Sequence, residues 1–136
     1  MSKFKTPSKI QVEPIECGAV ATWIILGYYN KWLSTEEART AVNVTKDGST
    51  AFNIATALRS LNCDSEGFQP SIDELKQENP ECRYPCIAWV KKIHWIVIEK
   101  FDGKDFLISD PAKGYRKVSP EDFAKEYSGL VISAWP

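Results

Sequence analysis

One cysteine, the only histidine, one aspartate and one glutamine carry side chains that together could break an acyl bond. Cys17 stands in Gln11-Val-Glu-Pro-Ile-Glu-Cys17-Gly18, His94 follows Lys91-Lys92-Ile93 far downstream, and Asp110 precedes Pro111. A thiol is a useful nucleophile only as thiolate, which a nearby imidazole, a helix N-terminus or both can provide. His94 has no rival as general base, because the chain contains no second imidazole. An aspartate against the other ring nitrogen would fix the tautomer, the role of the third member of a catalytic triad. Gln11, six residues before Cys17, could curl its amide back to donate to an oxyanion beside the Cys17 backbone N–H. Such a donor is worth about 3 kcal/mol in the transition state. Types and order are those of a cysteine protease.

The elements that must position these groups are legible from periodicity. Pro14 marks an entry, and apolar residues Ala19, Val20, Trp23, Ile24 and Tyr28 recur at helical spacing from Glu16 to about Asn30. This predicts a buried central helix with Cys17 at or just inside its first turn, where unpaired amides and aligned peptide dipoles favour negative charge. Ser34-Thr-Glu-Glu37 forms a capping box for a second helix through about Val42. A third helix is predicted from near Thr50, after the Lys46-Asp47-Gly48 turn, to Leu61, and Ser71-Ile-Asp-Glu74 opens a short fourth. Strands are expected over Pro85–Val90, His94–Phe101, Phe106–Ser109, Arg116–Val118 and Leu130–Ala134, with a short one around Ser65–Gln69 and a brief helix from Pro120 to about Tyr127. Asp102-Gly103 signals a tight hairpin. Counting from it puts Phe101 opposite about Lys104 and His94 opposite a residue between Ser109 and Pro111, within reach of Asp110. The expected fold is one α+β domain over residues 1–136, its N-terminal helical half packed on a C-terminal antiparallel sheet.

Composition narrows the alternatives. A chain of 136 residues buries roughly two thirds of the surface its unfolded form exposes and needs no staple. The cysteines at 17, 63, 82 and 86 are too few and irregular for a disulfide scaffold, and the start Met-Ser-Lys-Phe-Lys lacks a signal-peptide core, which points to a reducing setting. Cys63, Cys82 and Cys86 read as small packing residues. The net charge of −1 comes from mixed signs without the basic stripe that nucleic acid binding takes. The longest apolar stretches run about ten residues, half of a membrane span. Cys82-x-x-x-Cys86 with His94 and Cys63 has neither zinc-knuckle nor redox spacing, so no metal is expected. No Gly-rich phosphate loop with Lys-Ser/Thr is present, so ATP is not assigned to these residues.

Gln11 with Glu16-Cys17-Gly18-Ala19, then Trp89, then His94 before an apolar strand, and Asp110-Pro111-Ala112 with Gly114, resemble the papain-like peptidase domain that removes double-glycine leader peptides from bacteriocins. The resemblance covers nearly the whole chain, from Lys5-Thr6-Pro7 to Leu130–Ala134. It implies a papain-like fold, cleavage after Gly-Gly or Gly-Ala, and the same roles for Cys17, His94, Asp110 and Gln11, with Trp89 on the substrate side. It further implies a precursor leader peptide as partner, an attached peptide-exporting ABC transporter with its own ATP site, and a place on the cytoplasmic side of the bacterial inner membrane. The peptidase itself would need no cofactor. The Gly48-Ser49 turn and Arg116-Lys-Val-Ser-Pro-Glu-Asp-Phe resemble the branch serving lanthipeptide and nitrile-hydratase-like leaders. Trp95 stands where phenylalanine is more usual and Lys91-Lys92-Ile93 where smaller polar residues are common, so substrate fit is expected to differ. The chain is expected to be an excised domain rather than a free-standing enzyme. The main alternative is an inactive leader-binding module, which would lack the nucleophile that this chain keeps.

Overall fold

In the computed structural model, which describes residues 4–46, 48–77 and 81–136, helices α1 (Cys17–Tyr28), α2 (Thr35–Ala41) and α3 (Ala51–Ser60) come first. They are followed by β1 (Asp64–Phe68), α4 (Ile72–Leu75), β2 (Cys86–Val90), β3 (His94–Phe101), β4 (Phe106–Asp110), β5 (Gly114–Val118), α5 (Pro120–Glu126) and β6 (Tyr127–Trp135). The strands form one six-stranded sheet in the order β1-β6-β2-β3-β4-β5, with every adjacent pair antiparallel. Asp47 of the predicted Lys46-Asp47-Gly48 turn lies outside the described residues.

Burial on both faces explains the near-continuous apolar strands. Trp95, Val97, Ile87 and Ile132 pack with α1, α2 and α3, while Ile96, Ile98, Ala88 and Val131 pack with Leu75 of α4 and Phe123 of α5. Ile24, Ile25 and Leu26 of α1 are fully buried, each contributing roughly 1.5–3 kcal/mol by leaving water. The helix that carries Cys17 is therefore deeply set, and its position relative to the sheet is fixed by packing. Ser34 and Thr50 accept from the amides of Glu37 and Asn53 and start α2 and α3 as their sequences predict. Gly18 lets the loop before α3 press against the start of α1: a Cβ there would lie 2.8 Å from Ser49 Cβ and 3.2 Å from Ile54 Cδ1. Gly18→Ala is expected to destabilise the protein by about 1–3 kcal/mol, read as a lowered midpoint in denaturant unfolding.

The β3–β4 register differs from the two-residue hairpin expected at Asp102-Gly103. Asp102 Oδ1 accepts from the amides of Lys104 and Asp105 at 2.9 and 2.7 Å, so a four-residue turn joins Phe101 to Phe106, which pair directly. A bulge between Ile98 and Lys100 then shifts the ladder, which ends at Val97 opposite Ser109. His94 pairs instead with Val90 of β2. Asp110 falls one step beyond Ser109, so it meets His94 from a diagonal position rather than from directly across.

The bulge has a second use. The Glu99 carboxylate there accepts from the amides of Lys5 and Thr6, both at 2.7 Å, and from the Thr6 hydroxyl at 2.8 Å. Ser109 Oγ donates to the Pro7 carbonyl at 3.2 Å, Tyr115 OH donates to the Thr6 carbonyl, and Phe4 stacks on Tyr115. The N-terminal segment is thereby strapped along the sheet toward the end of β4.

Candidate active site

The strap delivers Gln11 to the site: its backbone N–H donates to the Pro111 carbonyl at 2.7 Å, one residue from Asp110. The chain then makes a single 3-10 turn, Pro14–Glu16, and enters α1 with Cys17 as its first residue. Glu16 is only 3% exposed. Its Oε2 accepts from the amides of Val12 and Glu13 at 2.9 and 3.2 Å, and its Oε1 pairs with Arg39 of α2 at 3.2 Å. Fully paired, this buried carboxylate folds the segment after Gln11 back over the start of the helix. Gln11 Oε1 is buried without a hydrogen-bond partner, so the amide is held with its oxygen inward.

His94 opens β3 after a tight turn in which Lys91 and Lys92 both take left-handed backbone, φ 52° and 58°. The turn is held in place because the Lys91 amide donates to the Glu126 carbonyl at 2.7 Å and the Lys92 amide to Ser128 Oγ at 2.8 Å. His94 Nε2–H donates to Asp110 Oδ1 at 2.8 Å, and the Cys17 thiol lies close enough to the imidazole to favour its charged form. With Nε2 engaged by the aspartate, Nδ1 is the nitrogen left for the sulfur. Cys17, His94, Asp110 and Gln11 are thus brought together from α1, the β2–β3 turn, the end of β4 and the N-terminal strap.

Asp110 is 2% exposed and every partner it has is a donor. Besides His94, Oδ1 accepts from the Ala112 amide at 2.8 Å, and Oδ2 accepts from Arg116 Nε at 3.0 Å. Burial works to raise the Asp110 pKa, but the hydrogen bonds from His94 and Ala112 and the charges of His94 and Arg116 outweigh it and lower it. Burial likewise opposes charge on His94. Its hydrogen bond to Asp110 and the nearby Cys17 thiol prevail, and its pKa is raised to about 9.

On one side of this pair lies a cleft of about 540 Å³ that reaches Cys17. Trp89, Trp95, Ile15, Ile93 and Leu130 give it apolar walls, and Gly48–Ala51 forms the facing rim. Trp89 and Trp95 stack with ring centroids 6.1 Å apart, and Trp95 Nε1 donates to the Ser49 carbonyl at 3.1 Å, which ties the two rims together. Trp89 belongs both to the edge of the core and to the cleft wall. Ile93, 80% exposed, stands at the rim between this cleft and a smaller cavity of about 240 Å³ that contains Gln11, His94, Asp110 and Arg116.

The arrangement can hold a thiolate beside an imidazolium, at the end of a cleft suited to an extended peptide. Three residues near it carry no role in the sequence reading. Glu16 had a signal, a carboxylate on the doorstep of an apolar helix. Arg116 and Glu126 had none, because their meeting with Asp110 depends on the β4–β5 register and on where α5 ends. Cys63, Cys82 and Cys86 are buried free thiols. Among the described residues no group of three or more His, Cys, Asp or Glu side chains is placed to share a metal ion, and no helix is long and apolar enough to cross a membrane.

Comparison with known proteins agrees with this fold. A crystal structure of a double glycine motif protease from an AMS/PCAT transporter, in complex with the leader peptide, superposes with a TM-score of 0.91 at 35% identity, covering 97% of this chain and 92% of that one. The peptidase domain of Streptococcus ComA, a bi-functional ABC transporter, shares the fold at a TM-score of 0.89 and 22% identity, covering 98% and 99% of the two chains. Among curated proteins, the colicin V secretion/processing ATP-binding protein CvaB of Escherichia coli is 25% identical over 132 residues, and the lactococcin-G-processing and transport ATP-binding protein LagD of Lactococcus lactis subsp. lactis is 29% identical over 130. These matches take in 97% and 93% of this chain, which spans only 18% of either relative's length. Residues 5–136 match the Peptidase C39 family, and the chain belongs to that family of cysteine peptidases with the papain-like fold.

Proposed function

We propose that this protein is the peptidase that cuts the leader from a ribosomally made peptide of bacteriocin or lanthipeptide type, after a Gly-Gly or Gly-Ala pair. The observation that carries the reading is the single imidazole held between Asp110 and the Cys17 thiol at the end of the Trp89–Trp95 cleft. In this mechanism the thiolate attacks the carbonyl carbon of the residue before the cut, and the oxyanion is met by Gln11 Nε2 and the Cys17 N–H. The imidazolium protonates the departing amine, leaving a thioester on Cys17. Water then attacks the thioester as neutral His94 takes its proton, and the sulfur leaves as thiolate, which restores the thiolate and imidazolium. Asp110 keeps the ring oriented throughout. Apolar walls that close around unadorned backbone accept glycine and exclude larger side chains by contact. Trp89 is assigned to this wall.

Several relatives are named as transport and processing proteins, and one structural neighbour was solved with its leader peptide. These names support a leader peptide as substrate and membrane and ATPase segments of an exporter as partners, with the peptidase on the cytoplasmic face and ATP bound only by the exporter. The whole of residues 1–136 is assigned to this one peptidase domain. The test is mass spectrometry of cleavage of a small set of peptides ending their leaders in Gly-Gly, Gly-Ala or Ala-Ala, with and without iodoacetamide. Cutting after Gly-Gly that alkylation abolishes supports the proposal. Cutting indifferent to alkylation, or to the residues before the cut, defeats it. Gln11→Ala is expected to lower kcat about a hundredfold with KM nearly unchanged, as measured by steady-state kinetics on a Gly-Gly leader peptide.

A further inference from the structure

Asp110 is held from behind as well as from the front. Arg116 of β5 places Nε 3.0 Å from Asp110 Oδ2 and turns the rest of its guanidinium to Glu126, with Nη2 2.6 Å from Oε1 and Nη1 3.3 Å from Oε2. Glu126 ends α5 and accepts, through its backbone carbonyl, the amide of Lys91 in the turn that leads into His94. One guanidinium therefore links β5, the end of β4 and the C-terminus of α5, and the last of these grips the β2–β3 turn. The group is mostly enclosed: the Arg116 side chain is 21% exposed and that of Glu126 15%. A rigid fork between two carboxylates fixes both in plane, which an ammonium cannot do.

From these contacts we infer that Arg116 and Glu126 form a positioning clamp, which sets the direction of the Asp110 carboxylate toward His94 Nε2 and holds Asp110 anionic. Neither residue lines the Trp89–Trp95 cleft; both act through Asp110 and the turn before His94. Without the clamp Oδ2 has no other partner among the described residues, and the carboxylate is held only through Oδ1, by His94 and the Ala112 amide. The inference rests on Cys17, His94 and Asp110 being the machinery proposed above.

The test uses kcat, KM and the pH profile of kcat/KM on a Gly-Gly leader peptide for Arg116→Met, Arg116→Lys, Glu126→Gln and Arg116→Met/Glu126→Gln, alongside Asp110→Asn and thermal midpoints. Misplacing a catalytic group by a fraction of an ångström lowers turnover by about ten- to a hundredfold, so Arg116→Met is expected to fall in that range with KM within about twofold. Removing the cation raises the Asp110 pKa, so the acid limb should move up. Arg116→Lys should restore the position of the acid limb but not all of kcat. Glu126→Gln should be milder, and it should add nothing in the Arg116→Met background. If folded Arg116→Met keeps the wild-type kcat and acid limb, the clamp is refuted, whatever its thermal midpoint. Should Arg116→Met fail to fold, Glu126→Gln decides: an unmoved kcat and acid limb refutes the clamp. If Asp110→Asn is also without effect, the triad itself has failed and not merely its support.

Discussion

Cys17→Ala is expected to reduce leader cleavage on the order of a millionfold, the loss seen when an acyl-transfer nucleophile is removed, while leaving the affinity for the leader within about threefold. The separation follows from where the sulfur sits. Cys17 is 3% exposed and packed at the start of α1, so alanine keeps the helix and removes only the sulfur beside His94. The cleft walls come from Trp89, Trp95, Ile93 and Leu130, none of which depends on the thiol for its position. Cleavage read by chromatography and binding read by fluorescence anisotropy of a labelled leader check both halves. Residual cutting within about a hundredfold of wild type would assign the nucleophile elsewhere, and a lost affinity would show that the substitution disturbed the cleft.

Asp110→Asn is expected to lower kcat on the order of a thousandfold with little change in KM, the behaviour of a triad whose orienting carboxylate is neutralised. All three groups facing this carboxylate are donors: His94 Nε2–H, the Ala112 amide and Arg116 Nε. An asparagine cannot satisfy them. With its oxygen toward His94 its NH2 faces Arg116, and with its oxygen toward Arg116 its NH2 faces the His94 and Ala112 donors. In the second case the ring must adopt the other tautomer, which leaves no proton acceptor for the thiol. Either orientation also removes the anion that stabilises the imidazolium, so the alkaline limb of the pH profile should fall to lower pH. Steady-state kinetics across pH with a Gly-Gly leader peptide measures both effects.

How much of this was legible in the chain differs between local and non-local features. The starts of α2 and α3 are written in Ser34-Thr-Glu-Glu37 and Thr50, because a cap is a contact between residues three apart. The end of α1 is written less clearly: apolar spacing continues past Tyr28, and the helix stops where Asn30 takes φ 63°. β6 begins at Tyr127 rather than Leu130 because Tyr127 pairs with Val90 after a bulge in β6 itself, a contact that Ser128-Gly129 conceals. The β3–β4 register departs from expectation for a related reason: Asp102-Gly103 marks a turn but not its four-residue length, and the bulge at Glu99 has no signature in residue type alone. The site fared better. A lone histidine, a cysteine at a predicted helix start and an aspartate before proline are chemically distinctive, and the diagonal approach of Asp110 tolerates the register error. Arg116 and Glu126 are ordinary surface-like charges in the sequence and gain their place only when β4, β5 and α5 are assembled.

Because the chain has one imidazole, the most direct measurement of the central claim is the pH titration of the His94 ring by NMR in wild type and in Cys17→Ala. Asp110 and Cys17 favour the charged ring, so wild type should titrate with a midpoint of about 9. Removing the thiol takes away one of the two supports against burial, and the midpoint in Cys17→Ala should move down, toward the ordinary imidazole range near about 6.5. A wild-type ring that titrates near that ordinary value, and is indifferent to the loss of Cys17, would mean that sulfur and imidazole do not form a couple, and the account would be wrong.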